Sequence, residues 1–422
     1  MMLYALHLLI VAIYVVLPLL AVGVLLRPAE SAVRQRRLAG LILTAVAGLA
    51  LGGTLAVVYA IGVGGRPRIA QLLLTGYFGI SLLLLLRFYD VLLKWLGNLL
   101  VAPLKPGVVR KLVGGLMMCG RLVLLFGLGL PYLLSTVLVY RPKTAHLGNP
   151  NTELNAAYET ANFSSTDGIG LVGWWIPSDP PPHNVQKIDS EWGRRTVLIC
   201  PGMTDTKSTQ VLMAGQFVPY GYNVLIFDFR AHGDSAGQLT SFGDKERRDV
   251  LGAVRWVRQH HPDQSARLFG VGLNTGAAAL IGAAADPSPE GQALDAIAVD
   301  GIFRDFDRWS DRVVGRYFPP PLSWLLQQFG ARIAGVQVGA DLVRFSPGKL
   351  NEAIWPRPVM VIQTARDAVV PFDLGRRFFD LAPQPKQGLF LDRYDEDRIS
   401  HNPRVGQEIR QFFQTARPMP VI

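Results

Sequence analysis

Arg267-Leu268-Phe269-Gly270-Val271-Gly272-Leu273-Asn274-Thr275-Gly276 is the stretch that decides how this chain is read. An apolar run leads into a turn flanked by two glycines, and an Ala-rich run with helical character follows. This is the strand–turn–helix context of the pattern G-x-S-x-G, in which a sharp turn holds a serine out as a nucleophile. Asparagine stands in the serine's place. A carboxamide is not a useful nucleophile at neutral pH, so the turn is kept while its expected attacking atom is missing. Asn tolerates unusual backbone angles better than most residues, and Gly272 and Gly276 leave room for the bend.

Outward from this turn, apolar strands alternate with helical patterns. Strands are expected at 162–165 and 170–176, flanking the hairpin signal Thr166-Asp167-Gly168, and at 195–200, 223–229, 267–273, 296–300, 358–364 and 388–393. Helices are expected near 208–218, 245–259, 275–285, 372–381 and 405–415. This alternation predicts a doubly wound, mostly parallel sheet covered on both faces, with a mixed edge where the hairpin lies. The segment 304–350 is too long for an ordinary connection and carries Tyr317-Phe318-Pro319-Pro320-Pro321. It reads as a mostly helical lid over the carboxyl ends of the strands.

Five pieces in order resemble the α/β-hydrolase superfamily over roughly 160–416. Leu198-Ile199-Cys200-Pro201-Gly202-Met203 resembles the strand that ends in His-Gly, with Pro201 in place of the histidine. Asp228-Phe229-Arg230-Ala231-His232-Gly233-Asp234-Ser235 resembles D-x-R-G-x-G-x-S, with Ala231 for a glycine. Gly272 to Gly276 is the nucleophile elbow. Ala365-Arg366-Asp367-Ala368-Val369-Val370-Pro371 resembles the loop of the catalytic acid, and Ser400-His401-Asn402 that of the histidine. The resemblance implies that Asn274 occupies the nucleophile position, that His401 is the acid–base group and that Asp367 orients it. It implies an oxyanion hole at the backbone N–H groups of Met203 and Thr275. No cofactor and no metal are implied.

Other residues are candidates for the attack. Thr275 is adjacent, but its side chain should point away at the helix start. Ser235 reads as structural, and Ser400 neighbours His401 on a loop. Deamidation of Asn274 would create a carboxylate nucleophile. Water activated by His401 and Asp367, with Asn274 orienting the ligand, is a further route. The segment 270–276 is one residue too long for a dinucleotide fingerprint, and His260-His261 has no partner at metal-ligand spacing. Two readings follow. One is a hydrolase of ester, thioester or amide substrates, lipid-like given the lid, with an altered mechanism. The other is a catalytically inactive pseudohydrolase that binds or scaffolds.

The net charge of +10 is unevenly spread. Residues 1–145 hold fourteen Lys/Arg and two acids, and the remainder is nearly neutral. The basic residues punctuate apolar stretches instead of forming a stripe, which argues against nucleic acid as partner. Four runs lack any charge: 3–26, 38–65, 69–86 and 122–140. About 20 apolar residues cross a bilayer as a helix. The expectation is therefore an all-α, four-helix transmembrane region over 1–145, a linker at 146–159, and the lipid bilayer as a partner. Basic residues in the first and third loops place those loops in the cytoplasm of a bacterial-type inner membrane and the second domain outside it. Cys119 and Cys200 are two lone cysteines that do not fix a redox compartment.

Overall fold

The computed structural model of the chain describes residues 35, 38–50, most of 76–95, 106–123, 127, 129–140, 148–181, 189–203, 205–320, 322–365, 367, 369–391 and 402–416. The chain divides into two compact units. Met1–Pro142 and Val314–Asp341 make one; Lys143–Val313 and Leu342–Ile422 make the other.

In the first unit, helix α1 (Pro106–Leu122) precedes α2 (Leu130–Val139). The second unit is built on a single eight-stranded sheet of order β1-β2-β4-β3-β5-β6-β7-β8. β1 (Glu159–Ser164) and β2 (Gly170–Ile176) form the antiparallel hairpin expected around Thr166-Asp167-Gly168, and β2 pairs antiparallel with β4. From β3 (Arg195–Cys200) and β4 (Tyr222–Phe227) through β5 (Arg267–Leu273), β6 (Ala296–Asp300), β7 (Val359–Thr364) and β8 (Lys386–Leu391), every pairing is parallel. Helix α3 (Arg247–His260) connects β4 to β5, and α4 (Thr275–Ala284) follows β5. In the long segment before β7, α5 (Phe306–Tyr317) begins in this unit, while α6 (Leu322–Val338) belongs to the first; α7 (Phe372–Leu381) follows β7, and α8 (Pro403–Thr415) is the last described helix.

The central strands read as continuous apolar runs because parallel strands are covered on both faces. All residues of β3, β4 and β7 are buried, and so are the last six of β5. On one face, Phe269 of β5 stacks on Phe413 of α8 at 4.5 Å between ring centres. Burying such a side chain contributes about 1.5–3 kcal/mol, so this contact fixes α8 firmly to the sheet. α4 is buried along its whole length, which its run of alanines permits.

The transmembrane expectation is overturned: among the described residues no helix is long and apolar enough to cross a membrane. The α2 helix, inside the run 122–140, has ten residues. At 1.5 Å per residue it spans about 15 Å, half of a hydrocarbon core of about 30 Å. The α1 helix has 17 residues and carries Arg110, Lys111 and Arg121. The run 3–26 and much of 38–65 and 69–86 lie outside the described residues. The four-helix transmembrane region, the integral inner-membrane localisation and the extracytoplasmic placement are withdrawn with this finding. A charge-free run is also what a helix needs to bury against another helix. That is what α2 does: it packs on α6, where Gln337 Nε2 donates to Thr136 Oγ1 at 2.7 Å. Burial in this contact pushes the Tyr132 phenol up to about 12, against the pull of its hydrogen bond with Gln337.

Candidate active site

The site lies at the carboxyl ends of β3, β5, β6 and β7, where open parallel sheets hold their ligands. The elbow is built by β5 and α4. Asn274 has φ 47° and ψ −107°, outside the regions that ordinary residues favour. Backbone atoms hold it there. Its N–H donates to Asp300 O at 2.8 Å, and its carbonyl accepts from Ala278 N at 3.1 Å. The flanking glycines are required by close approach. A methyl at Gly276 would lie 2.3 Å from the carbonyl oxygens of both Cys200 and Pro201, and one at Gly272 would meet Ala277 Cα at 2.7 Å. The carboxamide itself makes no capping hydrogen bond.

Asp367 is held by its own loop. Oδ1 accepts from the N–H groups of Val369 and Val370, at 2.7 and 2.8 Å, and Gln363 Nε2 lies 3.4 Å from Oδ2. Trp309 Nε1 donates to Val369 O at 2.8 Å and pins the loop from α5. The structure brings Asp367 and Asn274 together across Gly301, which has φ +59°. A methyl on Gly301 would stand 2.4 Å from Asn274 Nδ2 and 2.6 Å from Asp367 Oδ2. The two polar atoms are thus no more than about 5 Å apart, near enough for one oxygen to meet both at hydrogen-bond distance. His401 and Ser400 lie outside the described residues. Asn402, next in the chain, caps α8 by accepting from Arg404 N.

Thr275 directly follows Asn274, and Met203 follows Gly202, on which a methyl would stand 3.7 Å from Asn274 Oδ1. Thr275 begins α4, and the first N–H groups of a helix have no partner within it. The Met203 carbonyl lies 3.0 Å from His232 Nε2, while His232 Nδ1 lies 2.9 Å from Arg230 O, so this buried ring tethers the turn after β3 to the turn after β4. Ser235 is structural: its Oγ donates to Asp228 O and accepts from Val172 N. Cys200 is fully buried, and burial followed by the charge of Asp249 pushes its thiol up, which removes it as a nucleophile.

Sequence reasoning missed Asp300. It closes β6, its carbonyl anchors Asn274, and its carboxyl Oδ1 is enclosed without a hydrogen-bond partner among the described residues. Burial first, and the charge of Asp367 second, push this carboxyl well above the usual carboxylate range. The signal was present: an acid ends the otherwise apolar Ala296-Ile297-Ala298-Val299-Asp300 on the side of the sheet where sites form. A second acid, Asp205, approaches from the turn after β3. A methyl on Gly202 would meet its Oδ2 at 2.8 Å and Asn274 Oδ1 at 3.7 Å.

Residues 139–313 match the X-Pro dipeptidyl-peptidase (S15) family. The chain is 26% identical over 243 residues to the lysophosphatidylserine lipase ABHD12 of Danio rerio, spanning 54% of this chain and 60% of the lipase. It is 28% identical over 246 residues to the uncharacterized protein YqkD of Bacillus subtilis, spanning 57% of this chain and 77% of that one. Among solved structures, the Pyrococcus furiosus esterase Pf2001 superposes with a TM-score of 0.51 at 22% identity, covering 65% of this chain and all of the esterase. At that identity the likeness is one of fold. Sheet, elbow and relatives together give the chain an α/β-hydrolase fold.

Proposed function

We propose that this protein hydrolyses carboxylic esters, lipid-like acyl esters among them, by attack of water and without an acyl-enzyme on the elbow residue. The observation that carries this reading is the meeting of Asn274 Nδ2 and Asp367 Oδ2 across the bare α-carbon of Gly301. A carboxamide N–H can orient an oxygen but cannot attack a carbonyl; a carboxylate can take a proton from water. Thioesters and amides share the carbonyl chemistry and belong to the same substrate class. The likeness to an esterase and a lipase supports an ester in preference to a peptide bond.

The test is turnover of short and long acyl esters by the purified full-length protein beside Asp367→Asn. Turnover that falls on the order of 100-fold in the variant supports the reading. A second reading, a ligand-binding pseudohydrolase, is favoured by Asn274 itself, since its side chain lacks a nucleophilic atom. In that case the unaltered protein turns over no ester, and Asn274→Ser acquires activity.

A further inference from the structure

Buried carboxyls in this fold unit are otherwise well supplied with donors. Asp228 takes the Lys207 N–H and ammonium as well as Asp234 N–H; Glu246 takes Thr240, Ser241 and Gly243. Asp300 is the exception, with Oδ1 enclosed and unpartnered among the described residues. The charge acting on it is that of Asp367, which reaches it from the loop after β7; no cation acts on it among the described residues. Gly301, the next residue, stands against the same loop: a methyl on it would meet Asp367 Oδ2 at 2.6 Å. Neighbouring carboxyls at one enclosed end of the sheet cannot both ionise without cost, so one keeps a proton. Their surroundings decide which. Asp367 Oδ1 receives two backbone N–H bonds, which favour its charged form. Asp300 has enclosure and an orphaned Oδ1, which favour its neutral form and outweigh the pull of the one backbone N–H it receives, from Gly301.

We propose that Asp300 and Asp367 are an acid–carboxylate pair holding one proton, with the neutral carboxyl on Asp300 and the charge on Asp367. This inference rests on the hydrolase reading for its chemistry, though not for its protonation. In the reaction, Asp367 accepts a proton from a water molecule whose oxygen bonds to the acyl carbon of the ester. The bond from acyl carbon to alcohol oxygen then breaks, and the leaving oxygen takes that proton from Asp367. Ester and water become acid and alcohol, and Asp367 returns to its charged form. Asp300 keeps its proton throughout and is a positioning residue: by staying neutral it leaves the negative charge of the pair on Asp367. Pairs of carboxyls whose environments drive them apart in this way divide the roles of acid and base.

Infrared difference spectroscopy tests this on the full chain. Wild type minus Asp300→Asn isolates the Asp300 carboxyl and cancels Asp249, another buried acid. The expected result is a protonated-carboxyl band at pH 7. In Asp367→Asn, the pH at which that band disappears should fall, because the neighbouring charge is gone. A merely structural Asp300 would not respond to Asp367→Asn. Absence of the band at pH 7, or a titration indifferent to Asp367→Asn, overturns the pair. Ester turnover is read separately. Turnover without the band removes the pair and leaves the hydrolase; the band without turnover leaves the pair and removes the hydrolase.

Discussion

Two regions of the sheet unit bury carboxylates, and they treat them in opposite ways. After β4, Asp228 is fully buried, and Lys207, itself 1% exposed, reaches it at 2.5 Å and Asp234 at 2.7 Å beneath the ring of Trp174. Beside it, Arg230 forks between Asp249 and Asp167, and its guanidinium holds the Asp167 carboxyl well below the usual range. At the end of β6, Asp300 feels the charge of Asp367 from the loop after β7, and no such cation acts on Asp300 among the described residues. Buried charge that is matched serves the fold; buried acid that is left unmatched raises the free energy of the folded state, and such groups gather where chemistry is done. The first region predicts loss of stability when disturbed, the second loss of function.

Four experiments press on that contrast. The largest effect is expected for Lys207→Met, which strands the Asp228 carboxylate in the interior. It should cost about 3–5 kcal/mol in urea unfolding, the usual result of removing one partner of a buried pair. A loss within that of an exposed ion pair, about 0–1 kcal/mol, would put Lys207 outside the scaffold. Asp367→Asn should lower ester turnover on the order of 100-fold, about 2.7 kcal/mol of barrier, while leaving the unfolding midpoint close to wild type. If stability fell and turnover did not, the two regions would not differ as described. Asn274→Gly relieves a positive φ and should stabilise by about 1 kcal/mol in the same unfolding assay. The fourth is a tilt with pH. The folded Asp300 carboxyl is held above its unfolded value of about 3.9. Below that value both states are protonated and nothing is lost. Above it the unfolded chain releases a proton that the folded chain retains, so Asp300 lowers stability as pH rises. The melting temperature of Asp300→Asn relative to wild type should therefore climb between pH 4 and 8. A flat difference would mean that Asp300 is ionised and compensated.

Much of this was legible in the chain, for reasons that also explain what was not. The elbow at Asn274 and the loop of Asp367 are local devices: glycines, a strand end and a helix start lie within a few residues of each other, and each leaves its mark in the sequence. The hairpin at Thr166-Asp167-Gly168 is of the same kind. Asp300 became a site residue only because β6 runs between β5 and β7, an order that no local pattern records. The N-terminal misreading has the converse cause. Hydropathy measures the wish to leave water and does not name the destination, and for α2 the destination is α6. Where Ser135 and Thr136 interrupt that apolar face, their hydroxyls bond to Tyr132 O.

The backbone at Asn274 has a consequence for engineering. Its conformation is secured by the Asp300 carbonyl, by the first turn of α4 and by the clearance at Gly272 and Gly276, and the carboxamide contributes no cap to it. The position behaves as a socket whose shape does not depend on what is plugged into it. Serine, cysteine or aspartate can be installed there as interchangeable warheads without rebuilding the frame, and each would meet the same acid loop.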